Sequence, residues 1–152
     1  MRFREFFENT ETAEEADDIK RLLEKIPKAH AALVKGYRWK FQAGNTLHGD
    51  SEHVGFIDNK TKEIVVAGPW NYGREFTVLH EIGHKVYDLL DRNTKLTWDK
   101  IVKNTKMKPG DRQPPQELFC HAYAATYTKR PPVSYCHPNW IRFIRTISQQ
   151  SN

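Results

Sequence analysis

The stretch from Arg74 to Leu90 carries the feature that most restricts this chain, the pentad His80-Glu81-Ile82-Gly83-His84. Val78, Ile82, Val86 and Leu89 recur at helical spacing, which predicts one long amphipathic helix. Residues i and i+4 share a helix face, so the two imidazoles project together, opposite the apolar row. Any fold for this chain must bury one side of that helix and leave the other in a cleft. Gly83 lies between the histidines, where a glycine costs a helix about 1 kcal/mol relative to alanine. That cost predicts close approach of another backbone or of the cleft itself. Two histidines at this spacing suit one metal ion, and Glu81 beside them is placed to take a proton from a water that the ion acidifies. The plainer reading is an ordinary amphipathic helix with surface histidines, since short motifs also arise by chance.

A catalytic zinc takes three protein ligands and keeps one position for water. The third ligand is therefore expected elsewhere in the chain. Glu117 opens the apolar run Glu117-Leu118-Phe119-Cys120-His121-Ala122-Tyr123-Ala124 and is chosen for that role. His121 lies one helical turn further on and shares the Glu117 face. It is the competing ligand, or else an imidazole that hydrogen-bonds a ligand, which is the role assigned to it here. Cys120 is read as a core thiol, and Asp88 and Asp91 as solvated helix-end charges. His30, His48, His53 and His137 lack ligand spacing and are read as structural or surface residues.

The remaining chain sets the frame. Its 152 residues suit one domain spanning 1–152, with an N-terminal helix over about 10–27 and a catalytic core over about 37–147. A hydrophobic content of 38% separates it from disordered sequences. Tyr37–Gln42, His53–Ile57 and Glu63–Val66 read as strands, the last two as a hairpin. Helices are predicted over Thr94–Thr105, Gln116–Thr128 and Asn139–Ser148. Helices, a small sheet and further helices make an α+β fold. Two cysteines, Cys120 and Cys136, form no disulfide framework, although they could pair with each other. No apolar run approaches the roughly 18 residues of a membrane span. The N-terminal segment lacks the apolar core of a signal peptide. The expectation is a protein that stays in the cytoplasm or is released without such a signal. The net charge of +5, the basic runs Lys103–Lys108 and Arg142–Arg145, and four tryptophans allow a nucleic-acid partner, but no recognised binding motif supports one.

With both halves in view, Leu79-His80-Glu81-Ile82-Gly83-His84 and Gln116-Glu117-Leu118-Phe119-Cys120-His121-Ala122-Tyr123-Ala124 resemble the catalytic domain of anthrax lethal factor and the clostridial Pro-Pro endopeptidases. That family pairs HExxH with a helix reading roughly E-x-F-A-E-A-F. The hairpin Val54–Val66 and the stretch Pro131–Ile147 also match its layout, so the resemblance covers about residues 20–147. It implies a zincin-like, gluzincin-type domain with a small antiparallel sheet, an HExxH helix and a C-terminal ligand helix. It further implies one zinc ion held by His80, His84 and Glu117, with Glu81 as general base. A protein or peptide substrate would pair with an edge strand of the hairpin.

Two positions depart from the family pattern. The family's second glutamate, one turn after the ligand, is His121 here. The family's oxyanion-stabilising tyrosine falls at Gly110, leaving Tyr72, Arg112, His121 or Tyr123 as substitutes. The alternatives to an endopeptidase are an inactive zincin-like binding module and a cytosolic metallopeptidase that cleaves repressors. The latter group shares HExxH and a later glutamate, but Ala122–Thr128 does not match its usual ending.

Overall fold

The structure, a computed structural model, describes residues 13–42, 55–67, 74–128 and 136–150. His48, His53 and Tyr72, and the starts of the predicted first helix and second strand, lie outside the described residues. Helices α1 (Ala13–Leu23) and α2 (Lys28–Ala32) come first, followed by strands β1 (Arg38–Gln42), β2 (Gly55–Asp58) and β3 (Glu63–Ala67). Helices α3 (Arg74–Leu89), α4 (Arg92–Lys103), α5 (Pro115–Tyr127) and α6 (Pro138–Gln150) complete the order, with a 3-10 turn at Pro109–Asp111.

Local chemistry explains the boundaries. Gly36, at φ +84, takes the left-handed backbone that ends the α2 segment and turns the chain into β1. Asp91 caps α4, its Oδ1 accepting from the Thr94 N–H at 2.7 Å. It is a cap and not merely a solvated charge. Pro115 occupies the first turn of α5, where its missing N–H costs nothing.

The sheet is mixed and not antiparallel. Strand order is β1-β3-β2, with β3 antiparallel to β2 but parallel to β1. In β3, Ile64, Val65 and Val66 are all buried. A strand apolar on both faces belongs in the middle of a sheet. Residue alternation encodes which face is buried but not the direction of a non-local partner, so the parallel pairing is a tertiary choice.

Buried side chains from α1, from α3 to α6 and from the sheet form one cluster. Its largest members are Trp98, Trp140, Tyr123 and Phe119, each fully buried. Helices α3 and α5 make the most extensive contact in the fold. On α3, Val78, Ile82 and Val86 are buried as their spacing predicts, but Leu89 is 68% exposed. The helix overruns the core by its final turn, so the apolar pattern continues beyond anything it can pack against.

Candidate metal centre

Helix α3 presents His80 and His84 on one face, with ring centroids 5.2 Å apart. Opposite them, the first turn of α5 delivers Glu117. Its Oε2 lies 3.1 Å from His80 Nε2, and its Oε1 lies 3.3 Å from His84 Nε2. One carboxylate thus faces both imidazoles, one oxygen to each. The start of α5 is anchored from behind, because the buried Trp98 donates its indole N–H to the Pro115 carbonyl at 2.7 Å.

The separations are of the size that ligand atoms around one ion require. Ligand atoms each about 2.0–2.1 Å from zinc lie roughly 3.3–3.4 Å from one another. The two nitrogen–oxygen distances of 3.1 and 3.3 Å are close to that edge length. Burial lowers the pKa of His84, helped by His80 and opposed by Glu117 and Asp88. A neutral imidazole is the form that can donate a lone pair to a metal.

Glu81 is 4% exposed on α3. Burial raises the Cys120 thiol pKa, and the charges of Glu117, Glu81 and Asp88 add to it. His121 is buried, with its ring 4.8 Å from Phe76 and 6.4 Å from His80, centroid to centroid. Burial pushes its pKa down to about 4, with His80 contributing and Glu117 opposing. Its ring stands nearly perpendicular to that of His80.

Two neighbours were not read from sequence as parts of the site. Gln116 places its side-chain amide 3.1 Å from His84 Nδ1. Cys120, expected to be a core thiol, is fully buried, yet it also lies within ligand reach. The donor atoms of His80, His84 and Cys120 all lie within 4.8 Å of one another. The signal for Cys120 was Gly83. A Cβ built there would sit 3.0 Å from the Cys120 Cα, so only glycine lets the helices close this far. Of the two donor sets, the one with Glu117 suits zinc better. The buried thiol must lose a proton that its surroundings hold firmly, whereas a carboxylate is charged at neutral pH.

The other candidates fall away from the cleft. His30 accepts or donates a hydrogen bond at 2.9 Å with the Tyr123 hydroxyl, and both are buried. Tyr123 is therefore turned from the Glu117 face. Gly110 sits in the exposed 3-10 turn, and Arg112 just after it is also exposed. His137 packs on Trp140, with centroids 5.0 Å apart. Cys120 and Cys136 are both free. The chain matches no protein-family model, and comparison with curated proteins and with solved structures returns no match.

Proposed function

We propose that this protein is a zinc-dependent endopeptidase of the gluzincin type, with His80, His84 and Glu117 as ligands. The observation that carries the reading is the bridging carboxylate of Glu117, one oxygen to each imidazole at 3.1 and 3.3 Å. Bound zinc would polarise the scissile carbonyl and acidify a water. Glu81 would act as the base that takes a proton from the attacking water and returns it to the leaving amine. His121 lies beside His80 and supports the orientation of the ligands. Strand β2 forms one edge of the sheet and lies against α3, so an extended peptide can add to it by backbone pairing.

Among the tryptophans invoked for a nucleic-acid partner, Trp70 lies outside the described residues. Trp39, Trp98 and Trp140 are buried and present no ring on which a base could stack. No helix among the described residues is long and apolar enough to cross a membrane.

One observation favours a second reading. If Cys120 joined His80, His84 and Glu117, four protein donors would close the site and leave no position for water. The chain would then be an inactive zincin-like module. The test is cleavage of an unstructured protein with and without chelator. We expect chelator-sensitive cleavage that Glu81→Gln lowers by ~10²–10⁴-fold with zinc content unchanged. Zinc-loaded protein that is inert until Cys120 is replaced by alanine would establish the closed site instead.

A further inference from the structure

We infer that Gln116 is a positioning residue of the metal centre, holding the His84 ring in place through Nδ1 in either of its tautomers. The inference rests on the proposed zinc site and adds to it a residue that neither the HExxH pattern nor the glutamate helix assigns.

Both edges of the His84 ring are held by consecutive residues of α5. Glu117 Oε1 lies 3.3 Å from Nε2, and the Gln116 amide nitrogen lies 3.1 Å from Nδ1. The two residues occupy the first turn of α5, the turn that Trp98 anchors through Pro115. Their placement is thus fixed by the core rather than by the site.

The arrangement has a definite proton pattern. With the amide N–H donating to Nδ1, the proton of a neutral His84 sits on Nε2 and points at Glu117. Ligation through Nε2 requires the opposite tautomer, with the proton on Nδ1. One proton leaves Nε2 and one arrives at Nδ1, so the ring gains and loses nothing in total. A carboxylate beside Nδ1 would favour only the ligating tautomer, and an ammonium group only the other. An amide serves both, because turning it over replaces its donor by its acceptor. Gln116 therefore stabilises His84 in the metal-free and the metal-bound states alike. This explains why a neutral amide occupies a position where metal-bound histidines usually meet a carboxylate, a carbonyl or water.

The test reads the tautomer directly, by long-range proton–nitrogen NMR correlation of His84 near neutral pH. Three proteins are compared, the natural chain, Gln116→Leu and Gln116→Glu, each metal-free and after addition of zinc. The metal-free natural chain is expected to carry the proton on Nε2, and Gln116→Glu to carry it on Nδ1 before any metal is added. Gln116→Leu should keep the proton on Nε2, which still faces Glu117, and bind zinc ~10–100-fold more weakly in competition with a chelator. A proton that stays on Nε2 in metal-free Gln116→Glu, or unchanged zinc affinity in Gln116→Leu, would overturn the inference. Should Gln116→Leu fail to fold, the natural chain against Gln116→Glu decides the question by the same spectra. A natural chain that takes up no zinc would refute the proposed function, while the metal-free spectra would still decide the role of Gln116.

Discussion

Helix α5 has two working sides. Toward α3 it offers Gln116, Glu117, Cys120 and His121 to the paired histidines. Away from the histidines, Phe119 meets Trp98 and Phe143, with ring centroids 5.6 and 6.5 Å away, and Tyr87 in the last turn of α3 at 5.2 Å. The aromatic side gains free energy from area removed from water, which depends on volume and tolerates small shifts. The polar side depends on where single atoms lie. Stability and chemistry should therefore respond to different substitutions, even though one helix carries both.

The largest stability effect is expected on the aromatic side. Trp140 is fully buried, packs on Trp98 at 5.6 Å and donates its indole N–H to Thr105 Oγ1 at 3.0 Å. Trp140→Ala should cost ~3–5 kcal/mol in a urea titration. The fraction still folded should bind zinc as the natural chain does. Loss of zinc affinity in that folded fraction would break the separation of the two sides.

The buried His30 sharpens the comparison through pH. Burial pushes the His30 pKa down to about 4, and its ring bonds Tyr123 rather than the cleft. The unfolded imidazole titrates near ~6.5, so between those values the unfolded state binds the extra proton. The contribution of His30 is full above ~6.5 and is lost as pH falls toward its folded pKa, by on the order of 3 kcal/mol. Denaturation midpoints of metal-free protein across that range should fall for the natural chain and stay flatter for His30→Gln. Parallel curves would remove His30 from the account.

Gly83 stands at the boundary between the sides. A methyl group there gains about 1 kcal/mol in helix propensity. It also meets the Cys120 Cα at 3.0 Å, and overpacking of this kind costs ~1–3 kcal/mol. Gly83→Ala should lower stability slightly and weaken zinc binding together, measured on the same sample. A stabilised variant with unchanged zinc affinity would show that α3 and α5 need not approach so closely.

Much of this contrast was legible in the sequence. The spacing of His80 and His84 within an apolar-striped helix placed both imidazoles on one face, and an acid opening a later apolar helix singled out Glu117. Periodicity also located the helices to within a few residues. Other features depend on contacts between distant segments. Gln116 and Cys120 reach the site because α5 crosses α3 at Gly83, and the glycine signals a close approach without naming the residues it brings in. The parallel β1–β3 pairing and the exposure of Leu89 are tertiary in the same sense.

Zinc content of the purified protein, read by native mass spectrometry, tests the central claim most directly. The account predicts about one zinc per chain, none in a His80→Ala, His84→Ala double variant, and severe weakening in Glu117→Ala. His121→Ala should retain zinc with affinity lowered only ~10–100-fold. Full zinc retention by the double variant would contradict the site altogether. Retention by Glu117→Ala with complete loss in His121→Ala would move the third ligand to His121.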